Sequence, residues 1–125
     1  HQTLLREQLF YKCIRCNSLS KESGSTTESF SGTLYICHGK CRKICEYYYG
    51  LDTNEKLTGE MFITSDFKIV YNIISKRCEL YTLTKSDSST IYRFKQITTV
   101  YGKQTIDINN LKDFYMKHIK RNNIK

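Results

Sequence analysis

Six cysteines in a chain of 125 residues constrain its fold more than any other feature of the sequence. Three of them, Cys37, Cys41 and Cys45, follow one another at four-residue intervals. Together with Leu34, Ile44, Tyr48 and Leu51, they recur at steps of three and four. This spacing is typical of one face of an α-helix. The sequence therefore predicts a central helix over 34–51 that carries three sulfurs on its buried side and is cross-linked to its neighbours.

The cysteine count also predicts a cellular compartment. An even number of cysteines in a small chain is typical of a secreted domain, because disulfides persist in oxidising surroundings. The chain begins with His1 rather than Met, as expected after removal of a signal peptide or after trimming. No apolar run approaches the roughly 20 residues of a membrane span. We expect one secreted domain over 1–125, without a transmembrane segment, stapled by disulfides through Cys13, Cys16, Cys37, Cys41, Cys45 and Cys78.

Helical patterns outnumber strand patterns in the rest of the chain. Segments 67–78 and 91–101 also have the β-branched content of strands, but the helix is favoured because Val70, Ile73 and Ile74 do not alternate with polar residues. Asp107 is placed to cap the last helix, in which Ile108, Leu111, Tyr115 and Ile119 are expected to face the core. The sequence predicts an all-α fold of about six short helices, over 4–17, 34–51, 57–62, 67–78, 91–101 and 108–122.

The charge balance favours an anionic partner. Twenty Lys and Arg against 12 Asp and Glu give a formal net charge of +8. A heparin-like polymer or an acidic host protein would be attracted, and solubility alone is the competing explanation. Nucleic acid is not expected. The candidate residues for an anionic surface are Lys40, Arg42, Lys43, Lys112, Lys117, Lys120 and Arg121.

Aromatic residues are the second candidate binding feature. The chain has ten Tyr and six Phe but no Trp. Three consecutive tyrosines cannot all face one side of a helix, so at least one should reach solvent or a cavity. Tyrosine combines apolar bulk with a hydroxyl and suits a pocket for a small apolar or amphipathic ligand, although these rings could equally build the core. The candidate ligand-binding residues are Tyr47, Tyr48, Tyr49, Phe62, Phe94 and Tyr101.

Metal binding and catalysis are the remaining alternatives. Cys13 and Cys16, together with Cys37, His38 and Cys41, could supply four ligands to zinc. Their spacing does not match a familiar finger or ribbon, so disulfides are favoured and no metal or cofactor is expected. A small basic secreted ribonuclease using His38 and His118 must be considered, yet no ribonuclease motif surrounds either histidine, and His118 is expected to be solvated. The sequence therefore predicts a protein that is not an enzyme.

One segment resembles a known family. The residues Cys41-Arg-Lys-Ile-Cys45 are followed by Gly50-Leu51-Asp52 and then by Glu55-Lys56-Leu57. This pattern is similar to the helix end and turn of insect odorant-binding proteins. The tyrosines after Cys45 also resemble those of small, often basic salivary relatives from blood-feeding flies.

The resemblance implies an odorant-binding-like helical fold with a disulfide from Cys13 or Cys16 to Cys45. It is incomplete, because Ser89 and Thr98 stand where the family has its fifth and sixth cysteines. The function that it implies is non-catalytic binding. We expect a salivary or venom-type effector that binds host molecules or anionic surfaces, with a carrier of small hydrophobic ligands as the alternative.

Overall fold

The chain forms one antiparallel sheet in which each strand is hydrogen-bonded to the next along the chain. The computed structural model describes residues 10–25, 29–85 and 92–123. Within them the strands are β1 (Phe10–Lys12), β2 (Leu19–Ser25), β3 (Thr33–Cys37), β4 (Glu46–Leu51), β5 (Leu57–Ile63), β6 (Phe67–Asn72), β7 (Arg77–Lys85) and β8 (Tyr92–Tyr101). A 3-10 turn (Lys40–Lys43) joins β3 to β4, and a second one (Ile108–Asn110) leads into the helix α1 (Leu111–Asn123).

The expected all-α, odorant-binding-like fold is wrong. The predicted central helix over 34–51 is β3, the first 3-10 turn and β4. Tyr47 and Tyr49 are buried in the larger core cluster, whereas Tyr48 packs against the smaller cluster, as alternation along a strand requires. The helix-like spacing arises because β3 buries both faces, with Leu34 on one side and Tyr35 on the other.

The predicted helices over 57–62, 67–78 and 91–101 are also strands. In β6, Phe67, Ile69 and Tyr71 join the larger core cluster while Val70 joins the smaller one. A strand that is covered on both faces has no polar alternation, so its apolar run reads like a helix. The β-branched and aromatic content was the better signal here. Residues 4–9 of the predicted helix over 4–17 lie outside the described residues, and the rest of it is β1 and the turn that follows.

The prediction of the C-terminal helix is confirmed. The side chain of Asp107 accepts a hydrogen bond from the Asn109 amide at 3.0 Å and so caps the 3-10 turn that leads into α1. Ile108, Leu111 and Tyr115 are buried as expected. Within the described part of the chain, no helix has the length and apolar character of a membrane span.

The sheet curls around a core that both ends of the chain help to close. Arg15, in the connection between β1 and β2, pairs with Glu60 of β5, three strands away. At the other end, the ring of Tyr115 on α1 stacks on Phe67 of β6 with the centroids 4.2 Å apart. The first hairpin and the helix therefore cover the same concave face, and the groups between them are withdrawn from water.

Candidate metal centre

Four cysteines from two separate parts of the sheet meet at one edge of the core. Cys13 and Cys16 lie in the connection between β1 and β2, Cys37 ends β3 and Cys41 lies in the first 3-10 turn. Their sulfur atoms all lie within 4.8 Å of one another. The pairing of β2 with β3 creates this cluster, because it sets Ser20 opposite Cys37 and so brings the two loops together. We call these four residues the four-cysteine cluster.

The sulfur separations match a tetrahedral metal site. The Cys13 and Cys41 sulfurs are 3.8 Å apart, and those of Cys16 and Cys37 are 3.5 Å apart. Four thiolates around zinc at about 2.3 Å would lie about 3.8 Å from one another at the edges of a tetrahedron. A disulfide needs about 2.05 Å. The two separations are therefore close to the edge of such a tetrahedron and much longer than a disulfide bond.

Backbone hydrogen bonds shape the two loops that carry the cysteines, and one backbone amide donates to a sulfur. Within the first hairpin, the Cys13 amide donates to the Ser18 carbonyl at 2.7 Å, and the Asn17 amide donates to the Cys13 carbonyl at 2.9 Å. Asn17 has a positive φ of 61°, which tightens this turn. In the second loop, the Gly39 amide donates to the Cys37 sulfur at 3.3 Å. Amide donors of this kind orient sulfur ligands and favour their anionic form.

Within the four-cysteine cluster, the pKa values of the Cys13, Cys16 and Cys41 thiols are shifted in different directions. Burial alone would raise the pKa of the Cys16 thiol, but hydrogen bonds from Ser18 and from the Cys41 backbone lower that pKa to about 5. Burial and then the neighbouring sulfurs raise the pKa of Cys41. Burial also raises the pKa of Cys13. Only a bound cation would let all four groups carry charge together, because crowded thiolates repel one another.

The four-cysteine cluster is enclosed but accessible from one side. Cys13, Cys37 and Cys41 are at most 2% exposed, whereas Cys16 is partly exposed. A cleft of about 210 Å³ reaches both Cys16 and Cys41. Its other lining residues are Arg15, Lys40, Ile44, Ile108 and Asn109. This cleft provides an entry path for an ion, which a metal site that loads after folding requires.

A close approach at Gly39 gives a first prediction. A Cβ atom at this position would lie 2.0 Å from the Cβ of Ser18 and 2.5 Å from its hydroxyl oxygen. Gly39→Ala should therefore push the two cysteine loops apart, cost about 1–3 kcal/mol by overpacking, and weaken metal binding about tenfold. Competition with a coloured chelator measures that affinity. The Ser18→Gly variant lacks the obstructing atoms, so adding Gly39→Ala to it should cost little further stability or metal affinity. A loss as large as in the wild type would contradict the steric explanation.

The structure places the six cysteines differently from the disulfide scheme. All six are free thiols. Cys45 and Cys78 are buried but lie outside the four-cysteine cluster. The nearest partners of Cys13 and Cys16 are Cys41 and Cys37, and not Cys45, as the family resemblance implied. The fold brings together the four cysteines that were weighed for zinc in the sequence, whereas His38, weighed with them, lies outside the four-cysteine cluster.

The candidate ligand-binding aromatics do not form one pocket. Tyr47, Tyr49 and Phe62 are fully buried and stack in a row, with centroid separations of 5.7 Å and 5.2 Å along it. Tyr48 contacts the opposite face of the sheet, where its hydroxyl donates to Glu46 at 2.8 Å. Phe94 lies 5.3 Å from the amino group of Lys68. Tyr101 is 71% exposed. Tyr47, Tyr49 and Phe62 therefore belong to the core, and Tyr101 lies on the surface.

The candidate cationic residues divide into two groups. Lys40, Arg42 and Lys43 are exposed on the first 3-10 turn beside the four-cysteine cluster. Lys112 and Lys117 are exposed on α1. The side chains of Lys120 and Arg121 lie outside the described set.

The two histidines differ in environment. His38 is exposed, with Nδ1 at 3.3 Å from a guanidinium nitrogen of Arg42. The expectation of a solvated His118 is wrong, because this residue is buried and its ring packs edge-on against Phe114. The fold therefore gives His118 a packing role on α1.

A buried ion pair beside the four-cysteine cluster was missed by sequence reasoning. Arg15 donates twice to the carboxylate of Glu60, at 2.6 Å and 3.1 Å, and the hydroxyl of Tyr47 donates to the same carboxylate. Burial and then Glu60 raise the pKa of Tyr47, so the phenol remains a donor. Nothing in the local sequence marks Arg15 and Glu60 as partners, because 45 positions separate them.

The chain matches no known protein-family model, no curated protein and no solved structure. Its function is therefore inferred from the geometry of its own residues.

Proposed function

We propose that this protein is a zinc-binding module in which the four-cysteine cluster holds one structural Zn²⁺. The observation that carries the proposal is the approach of four sulfurs to within 4.8 Å of one another, with two measured edges close to those of a tetrahedron. Tetrahedral sites with four sulfur ligands favour zinc or iron–sulfur chemistry. A single ion fits the closely spaced quartet.

The role of this ion is structural. Four cysteine ligands complete the tetrahedron and leave no position for water or substrate, which is typical of zinc that stabilises a fold. The ion would join the connection between β1 and β2 to the end of β3 and the first 3-10 turn. A short first strand of three residues would then be held by metal ligands as well as by backbone hydrogen bonds.

The module acts by binding and not by catalysis. The cationic residues of the first 3-10 turn lie beside the metal site, so a folded metal centre would present Lys40, Arg42 and Lys43 in fixed positions. A net charge of +8 favours an anionic polymer or an acidic protein as partner. A small amphipathic ligand is the other class of partner.

Metal substitution tests the proposal directly. The purified protein should contain one zinc per chain, and Co²⁺ in its place should give the intense visible absorption of a tetrahedral thiolate site. Cys37→Ser should abolish both signals. Cys78→Ser is the matched control, because both residues are 0% exposed but Cys78 lies outside the four-cysteine cluster. Equal loss in both variants, or iron in place of zinc, would overturn the assignment.

An oxidised form is the second candidate. The sulfurs of Cys13 and Cys41 are 3.8 Å apart and those of Cys16 and Cys37 are 3.5 Å apart, and these pairs could close into two disulfides in a secreted protein. Each bridge would lower the intact mass by two hydrogens and would leave Cys45 and Cys78 free. Mass spectrometry under non-reducing conditions distinguishes this form from the zinc form, which keeps all six thiols.

A further inference from the structure

A cavity of about 530 Å³ opens beside the buried ion pair. Its size falls in the usual range for small-molecule sites, about 300–1,000 Å³. Part of its lining comes from β5 and β6, and part from the turn after β6 and the segment after β8. The lining residues are Arg15, Glu60, Tyr71, Ile73, Lys76, Lys103, Gln104, Thr105 and Ile106. We call this space the basic pocket.

The single carboxylate of the basic pocket is already satisfied. Glu60 accepts two hydrogen bonds from Arg15 and one from Tyr47. The remaining charges of the lining are Lys76 and Lys103. Among the residues that the structure describes, neither lysine forms an ion pair. The pocket therefore has a surplus of positive charge at positions where a ligand could meet it.

The backbone holds the two lysines on neighbouring segments. Arg77 is opposite Tyr101 in the pairing of β7 with β8, and the Gly102 amide donates to the Lys76 carbonyl at 2.8 Å. Lys76 and Lys103 therefore project from adjoining positions just beyond the ends of the two strands. Both are exposed, so their charges can meet an incoming ligand before it is desolvated.

Two isoleucines form an apolar part of the remaining wall, beside the polar residues Gln104 and Thr105 and one oriented hydroxyl. Ile106 is buried and Ile73 is partly buried. The hydroxyl of Tyr71 accepts the Gln104 amide hydrogen at 2.9 Å, which leaves its own proton directed elsewhere. A hydroxyl that accepts from the backbone can still donate to a ligand oxygen. The pocket thus combines apolar side chains, one donor and two cations.

We infer that the basic pocket binds a small organic anion, with its charged group at Lys76 and Lys103 and its apolar part against Ile73 and Ile106. This inference deepens the binding role proposed above, because it assigns a site and a ligand class to that role. A purely apolar ligand would leave both lysines unused. A free inorganic anion would leave the isoleucines uncovered.

A pair of fluorescent probes tests the requirement for charge. Anilinonaphthalene sulfonate and N-phenylnaphthylamine share the same ring system, and only the first has an anionic group. The sulfonate should bind the protein with a Kd at least about tenfold lower than that of the neutral probe. Equal affinity for the two probes would overturn the assignment of an anion.

Charge-removal variants locate the site. Lys76→Asn with Lys103→Gln should weaken sulfonate binding about tenfold and leave the neutral probe within twofold. Asn is chosen because Lys76 has a φ of 56°, a conformation that Asn tolerates. Lys56→Gln with Lys95→Gln is the matched control: these lysines are exposed elsewhere, and the loss of charge is the same. An equal effect in both double variants would mean attraction by net charge alone and would overturn the site.

Metal content keeps this test separate from the proposed metal centre. Each variant is analysed for zinc before titration. If the protein contains no zinc but the pocket variant still weakens sulfonate binding, the pocket stands and the metal assignment fails. If zinc is present and the pocket variant binds the sulfonate as the wild type does, the pocket fails and the metal centre stands.

Discussion

Cys41→Ser should lower the melting temperature by about 15 °C and make the protein insensitive to chelators. A ligand present at about a thousand times its Kd stabilises the folded state by about 4 kcal/mol. For a domain of this size that corresponds to a shift of roughly 15 °C. The loss should be local at first, because the metal would join the first hairpin to the rest of the sheet. Differential scanning calorimetry with and without a zinc chelator measures both effects.

Cys45→Ser provides the matched control for this stability loss. Cys41 lies in the first 3-10 turn and Cys45 follows shortly after it, and both are buried, but only Cys41 belongs to the four-cysteine cluster. The Cys45 variant should lose about 1–3 kcal/mol from burying a hydroxyl and should remain as chelator-sensitive as the wild type. If the chelator leaves the wild-type melting temperature unchanged, a structural metal is excluded.

Arg15→Met should destabilise the protein by about 3 kcal/mol, more than any change at its partner. The side chain of Glu60 is only 7% exposed, so removing Arg15 leaves an unpaired carboxylate in the core. Such losses cost about 3–5 kcal/mol, and the lower end applies because the Arg15 side chain is itself 24% exposed. The variant also loses the guanidinium that lies over Tyr47 and Phe62 at 5.6 Å and 5.1 Å. Urea unfolding measures the change.

The reverse substitution should cost less. Glu60→Gln keeps an acceptor for the Tyr47 hydroxyl and leaves Arg15 charged but able to reach water, so we expect a loss of about 1 kcal/mol. The double variant should be more stable than Arg15→Met alone, since it contains no buried charge without a partner. Arg15→Lys should fall between the wild type and Arg15→Met, because an ammonium cannot reproduce the bidentate pairing. Equal losses in Arg15→Met and Glu60→Gln would contradict this account.

Zinc analysis separates the two predictions. Arg15 lies between Cys13 and Cys16, so its replacement could act through the metal loop. Arg15→Met should retain one zinc per chain, because the side chain points to Glu60 and contributes no ligand atom to the four-cysteine cluster. Loss of zinc in this variant would assign the destabilisation to the hairpin and not to the ion pair.

The parts of the fold that sequence reasoning predicted well depend on local contacts. Asp107 caps the turn before α1 through an amide two residues away, and Ile108, Leu111 and Tyr115 form a helical stripe that packs as expected. These signals lie within one or two turns of chain. They could be read without knowledge of the rest of the molecule.

The strands β3 and β6 could not be recognised from periodicity, because each buries residues on both faces of the sheet. In β3, the alternation that marks a strand disappears when Leu34 and Tyr35 are both buried. The four-residue spacing of Cys37, Cys41 and Cys45 is also that of one face of a helix. Cys37 is in a strand, Cys41 in a 3-10 turn and Cys45 just before the next strand. The β-branched and aromatic content of these segments indicates strands. It is the stronger signal, because a short apolar run does not distinguish the period of a helix from that of a strand.

The amino-acid sequence by itself determined the chemical inventory: six thiols, a strong positive charge, many aromatic rings and one well-capped C-terminal helix. Only the tertiary structure decided which thiols meet and which charges are paired. Sheet register placed Cys13 beside Cys41, and the curl of the sheet brought Arg15 to Glu60. Both contacts join residues at least 28 positions apart. Their distances follow from how strands pair and bend, which no local pattern specifies.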